Sequence, residues 1–159
     1  MDGGGLTRRD GDGLTRRRGD AEGEENEIGG IVVDSAVRVH RDLGSGLLES
    51  VPSAVLSREL EERGLIVERQ VPVLLLYRGL RFEEGFRADM VVSGKVILAL
   101  KSVEQTTKAH AKQVFTYLKL TGLRLGYLLN FGANLMKDGI ERIICNLPEP
   151  LSPSNSLTP

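Results

Sequence analysis

Two side chains of opposite charge, Asp89 and Lys101, stand in apolar segments separated by a Ser93-Gly94 turn signal. Residues 86–92 and 96–101 are rich in aliphatic and β-branched side chains and read as the two arms of a hairpin. Alternate strand residues share a face, so Ala99 and Lys101 point one way while Leu98 and Leu100 point the other. Whether Asp89 joins them depends on the loop. Three loop residues, Ser93-Gly94-Lys95, set Asp89 opposite Ala99 and one step from Lys101, whereas a two-residue loop turns it to the other face. Joined, the pair brings a carboxylate and an ammonium to one spot. Apart, Asp89 is an ordinary edge acid and Lys101 a solvated strand-end lysine.

A second polar set lies downstream. His110, Gln113 and Tyr117 are spaced i, i+3, i+7 in a helix predicted over 106–121, whose Ala111, Val114, Phe115 and Leu118 turn inward. This spacing predicts the three on one face away from the apolar stripe, with Gln113 and Tyr117 presented to a ligand or to the sheet edge. The plainer reading makes Gln113 and Tyr117 a packing pair and His110 a local hydrogen-bonder.

The elements that must position these residues follow from periodicity and breakers. Residues 31–43 read as a helix ended by Gly44-Ser45-Gly46. A second helix is predicted over 47–63, with Leu48, Val51, Val55, Leu56 and Leu60 inward and Gly64 at its C-terminal cap. Pro52 conflicts with that span, because in a helix interior it costs about 3 kcal/mol; either the helix bends there or it starts later. Residues 65–77 contain Pro72 and read as an edge strand or two short pieces. Strands are also expected at 125–131 and, after Asp138-Gly139, at 140–145. The order α, α, β, β, β, α, β, β describes an α/β mixed sheet with helices packed on it.

Length and composition limit the rest. The chain has 159 residues, enough for one ordinary domain. Residues 1–30 hold nine glycines, two copies of Gly-Leu-Thr-Arg-Arg and an acidic stretch, and read as a disordered low-complexity arm. Residues 148–159 read as a disordered tail, which leaves 31–147 as the folded domain. That domain has 16 basic against 13 acidic residues, a balance compatible with nucleic acid without demanding it. Cys145 is the only cysteine, so no intrachain disulfide or cysteine-based zinc site can form, and it is expected as a buried small hydrophobe. Two histidines, His40 and His110, argue against a His-rich metal centre. No apolar run is long enough to span a membrane, and no hydrophobic segment follows the N-terminal arginines as in a secretory signal. A cytoplasmic, reducing environment is the expectation.

Asp89, then Ala99 and Lys101, then Gln113-Val-Phe-Thr-Tyr117, resembles the PD-(D/E)XK nuclease superfamily, with its Gln-x-x-x-Tyr element like that of the RecB-like branch. The chain is most similar to the GxxExxY proteins of that superfamily. The similarity runs through Val39 to Val51, Gly85 to Asp89, Leu100 to Glu104, His110 to Gly122 and Gly126 to Gly132, and covers about residues 31–146. The resemblance implies a restriction-endonuclease-like αβββαβ core and a Mg²⁺ (or Mn²⁺) site acting on nucleic acid. It implies Glu49 as the helix acid, Asp89 as the first hairpin acid, Lys101 as the catalytic lysine, and Gln113 and Tyr117 as positioning groups. Glu49 and Asp89 would then be the metal ligands. Such a site is sensible chemistry, because hard Mg²⁺ takes carboxylate oxygens and a metal beside the phosphate both neutralises charge and generates the nucleophile.

The sequence departs from that pattern twice. Alanine stands at 99, where the second hairpin acid belongs, and Pro52 replaces the final tyrosine of the motif that gives the family its name. A methyl group cannot ligate a metal, so three carboxylates fall to two at most, and Glu104 is too far along the chain to substitute simply. The expectation is a nuclease scaffold with impaired or lost cleavage. The alternative is a non-catalytic nucleic-acid-binding or protein-interaction module on the same scaffold.

Overall fold

A computed structural model describes residues 18–146 of the chain. Its first element, α1 (Arg18–Leu43), is a helix of 26 residues. Ile28, Val32, Ala36 and Val39 recur at helical spacing along it and are buried. The helix therefore takes in residues 18–30, which the sequence assigned to a loose arm. Contacts remote in sequence explain the difference: Arg124 donates to Glu25 (3.4 Å) and Arg142 to Asn26 (2.6 Å). Residues 1–17 and the expected tail at 148–159 lie outside the described residues. The predicted break holds, with Gly44 at φ +80° donating its N–H to His40 O (2.8 Å).

Helix α2 (Ser50–Glu62) starts three residues later than its apolar pattern suggests. Pro52 thereby falls in the first turn, where a backbone N–H has no helical acceptor to lose, and the conflict disappears. The inward stripe is Pro52, Ser53, Leu56, Ser57 and Leu60, while Leu48, Val51 and Val55, expected inside, are exposed. Arg63 holds the end of α2 to α1 through Asp34 (2.8 Å). Gly64, at φ +90°, terminates the helix as expected.

Five strands follow: β1 (Val67–Tyr77), β2 (Leu80–Val92), β3 (Val96–Lys101), β4 (Leu125–Asn130) and β5 (Ile140–Ile144). They lie in the sheet in chain order, with β3 and β4 parallel and the other pairs antiparallel. β1 is an edge strand, the position Pro72 predicted. β2 begins six residues before the expected arm, because Arg78 (φ +49°) and Gly79 (φ +82°) form a two-residue hairpin turn with both central residues left-handed. Helix α3 (Lys108–Thr121) crosses from β3 to β4. Thr107 caps its start in a reciprocal pair with His110, whose Nδ1 accepts from Thr107 N (3.1 Å), the local role expected of that histidine.

The sheet buries both faces. Met90, Val92, Val96, Leu98, Leu100, Tyr127 and Leu129 pack against α1 and α2. Val91, Ile97, Ala99 and Leu128 pack against Val114, Tyr117 and Leu118 of α3, with Cys145 buried among them. A mixed α/β sheet with helices on either side is a restriction-endonuclease-like architecture. No helix among the described residues is long and apolar enough to cross a membrane.

Candidate functional site

The β2–β3 loop decides whether the hairpin forms a site. Val92 pairs with Val96 and Met90 with Leu98, so the loop is the three residues Ser93-Gly94-Lys95, and the same register carried on sets Asp89 opposite Ala99. Ser93 (φ +51°) and Gly94 (φ +66°) supply the left-handed backbone this turn needs. The pairing does not reach Asp89, however. With β3 it stops at Met90–Leu98, and with β1 it passes from Arg69–Met90 to Val71–Ala88, skipping Gln70, which sits at φ +53°. Asp89 stands at a gap in the pairing on both sides, although the β1–β2 register is the same before and after it and shifts only between Val73 and Leu75. Strand β2 turns over at this point. Phe86 and Ala88 pack with the α3 cluster, whereas Met90 and Val92 pack with the α1–α2 cluster.

The Asp89 carboxylate fills the gap it creates. Its Oδ2 accepts the backbone N–H of Leu100 at 2.7 Å, so a side chain supplies the acceptor beyond the end of the ladder. Ala99 is 5 % exposed and packs with Tyr117 and Leu128 on the α3 side. Lys101, half-buried, ends β3 two residues further on, with its carbonyl accepting from Phe131 N (2.7 Å).

Tyr117 corrects an expectation. It is buried in the core with Val114 and Leu118 rather than standing away from the apolar stripe. Helix geometry explains this, since i+3 and i+4 from Val114 are Tyr117 and Leu118, which share its face. The Tyr117 ring meets Phe86 edge-on, with centroids 5.2 Å apart. Burial raises its hydroxyl above the usual tyrosine range, the Asp89 charge raises it further, and a backbone hydrogen bond from Arg87 opposes both. Asp89 and Tyr117 are therefore electrostatic neighbours. Gln113, one turn earlier, is exposed, so the helix divides the expected pair by burial.

Glu49 stands on α2 rather than on the hairpin or α3. It is the exposed N-cap residue of α2 and makes no capping hydrogen bond. Its helix packs with Leu56 and Leu60 on the face opposite α3. One turn on, Ser53 receives Arg69 Nη2 of β1 (3.2 Å), and Arg69 is the ladder partner of Met90, next to Asp89.

Sequence reasoning missed Asn130. It pairs with Lys101 across the β3–β4 ladder and is 3 % exposed. Its Oδ1 accepts both Val103 N and Gly132 N, each at 3.0 Å, tying together the chain that leaves the two parallel strands. Its signal was a polar residue ending an otherwise apolar strand beside the lysine. Gly132 is part of the same junction, for a Cβ there would meet the Val103 carbonyl and come within 2.7 Å of Val103 N.

The described residues form an α/β hairpin with Asp89 where β2 leaves its neighbours, Lys101 at the end of β3, and Tyr117 buried on the adjoining helix. The model of the PD-(D/E)XK nuclease superfamily matches residues 26–143, and the chain belongs to that superfamily. No curated protein and no solved structure matches the chain. Nucleases of this superfamily typically use divalent metals, and their substrates are nucleic acids. The residues present here do not fit a three-carboxylate metal site. Ala99 offers a methyl group, one oxygen of Asp89 is occupied by Leu100 N, and among the described residues no three His, Cys, Asp or Glu side chains group to hold a metal.

Proposed function

We propose that this chain is a nuclease-fold protein of the GxxExxY kind, descended from a Mg²⁺- or Mn²⁺-dependent phosphodiesterase acting on nucleic acid, in which cleavage is impaired or lost. The remnant site is Asp89, Lys101, Gln113 and Tyr117, and Glu49 and Asp89 are the surviving metal acids. The observation that carries this reading is Ala99. It stands buried two before Lys101 and, by the β2–β3 register carried one step past its last pair, opposite Asp89, where the resemblance places a second carboxylate. Removing one of three anionic ligands weakens a hard-cation site severely, because Mg²⁺ gives up its waters reluctantly and needs carboxylates in near-octahedral geometry. Without the metal, Lys101 is the cation the hairpin offers a phosphate, and the metal's part in generating hydroxide is lost.

The test restores the acid. Ala99→Glu and the shorter Ala99→Asp are compared with the parent for Mg²⁺ binding by calorimetry and for cleavage of labelled DNA and RNA. Circular dichroism confirms that each variant is folded. A restored acid is expected to confer metal binding, and the parent is expected to show no metal-dependent cleavage. Folded variants that gain no metal binding would remove the support for a vacated ligand position. Metal-dependent cleavage by the parent that vanishes in Asp89→Ala would overturn the loss of activity.

A further inference from the structure

The tip of the β1–β2 hairpin is unlike the rest of the surface. Residues 74–82, Leu-Leu-Leu-Tyr-Arg-Gly-Leu-Arg-Phe, hold two arginines and no acid before Glu83 and Glu84 bound the run. Leu75 pairs with Phe82 and Tyr77 with Leu80, and directly opposed residues of an antiparallel ribbon share a face. Tyr77 is 56 % exposed, Leu80 60 % and Phe82 45 %, so that face displays two aromatic rings to solvent. The Arg78 guanidinium stands 5.3 Å from the centroid of the Tyr77 ring, which sets cation and ring side by side. The two left-handed turn residues, Arg78 and Gly79, fix the ribbon's end rather than leaving it a floppy loop.

We propose that this tip is a stacking platform for single-stranded nucleic acid, which feeds the strand along β2 toward Asp89. The proposal rests on the superfamily's nucleic-acid partner, not on whether cleavage survives. Exposed rings beside an arginine suit unpaired bases, since each ring takes a base face and the Arg78 guanidinium a phosphate. A duplex hides its base faces and offers the rings nothing. A second copy of the chain fits poorly, because stacking tip on tip opposes Arg78 to its own copy. Phe82 lies seven residues before Asp89 on the same strand, at most about 23 Å at the rise of an extended chain and less for the bulge of β2 between Phe82 and Phe86. A strand held at the tip is thus within reach of the hairpin site while lying on the protein.

The probe is a fluorescein-labelled thymidine oligonucleotide, titrated by anisotropy in chelator with no divalent metal. Tyr77→Ala and Phe82→Ala are each expected to weaken binding about fivefold to a hundredfold with the salt slope unchanged. Arg78→Gln is expected to flatten the logarithmic salt slope by about 0.7. The chain has no tryptophan, so Phe82→Trp keeps a ring at the tip and adds a single reporter, whose emission the bound oligonucleotide is expected to quench. Unchanged affinity in the alanine variants, or unchanged tryptophan emission at saturating oligonucleotide, overturns the proposal. So does an emission shift on phosphatidylserine vesicles without one on the oligonucleotide, which assigns the tip to a membrane. Self-association abolished by Phe82→Ala, with no oligonucleotide binding, assigns it to a second copy. None of these outcomes bears on metal binding by Ala99→Glu, so the two readings fail separately.

Discussion

If Asp89 now serves the sheet, its removal should be felt in stability before anything else. Leu100 is 1 % exposed, and its N–H is held by Asp89 Oδ2 at 2.7 Å, past the last backbone pair between β2 and β3. Asp89→Ala leaves that donor buried and unpaired, which costs about 1–3 kcal/mol. For a chain of this size the melting temperature should fall by about 2–4 °C for each kcal/mol, so a loss near 2 kcal/mol lowers it by about 4–8 °C. Asp89→Asn keeps a carbonyl oxygen where the acceptor stood and should recover most of the loss. Both are measured by calorimetry at neutral pH, without added metal. Asp89→Asn also removes the charge that helps hold the Tyr117 hydroxyl above its usual range. Its phenolate absorbance should therefore appear at lower pH than in the parent, although burial, the larger cause, still keeps it raised. A melting temperature unmoved by Asp89→Ala, or an asparagine as damaging as alanine, would refute a structural role for the carboxylate.

Two other outcomes follow from the packing. Gly132→Ala pushes a methyl group into the Val103 backbone and should cost about 1–3 kcal/mol by denaturant unfolding; equal stability would mean the Lys101–Asn130 junction is looser than described. Asp34 is held below the usual carboxylate range first by its hydrogen bond to Arg63. A lowered native pKa contributes stability that is present above the unfolded carboxylate value and lost as pH falls toward the native one. Asp34→Asn should accordingly flatten that acid limb of the stability profile while changing its slope little near neutrality.

The hairpin was the most legible part of the molecule because its register depends on a local count. Ser93-Gly94-Lys95 sets the loop at three residues, and every face assignment from Met90 to Lys101 follows. Pro52 was legible as a conflict, and the late start of α2 is one of the two answers it allowed. Other readings failed where one pattern admits two outcomes. The spacing of Leu48, Val51 and Val55 suits a buried stripe, yet α2 begins after Leu48 and turns Ser53 and Ser57 inward, and the i, i+3, i+4 rule does not say which stripe wins. The same ambiguity placed Tyr117 on the polar face. The first half of α1 was unreadable for a different reason. Its glycines and acids argue for a loose chain, and what orders it is Arg124 and Arg142, about a hundred residues away. The left-handed Gln70 and the parting of β2 from its neighbours leave no mark in composition at all.

Strand order in the sheet equals strand order in the chain, and this bears on how the molecule folds. Each strand finds its partner in the segment just made. Tight turns join β1 to β2 and β2 to β3, while α3 and the nine residues 131–139 span the two later connections, and closure entropy grows only slowly with such lengths. Helix α1 is the exception. It precedes the strands in the chain, yet its contacts are with Tyr127, whose hydroxyl lies against Gly29, and with Arg124 and Arg142. Contacts of such sequence separation raise the contact order of the fold, and higher contact order goes with slower folding.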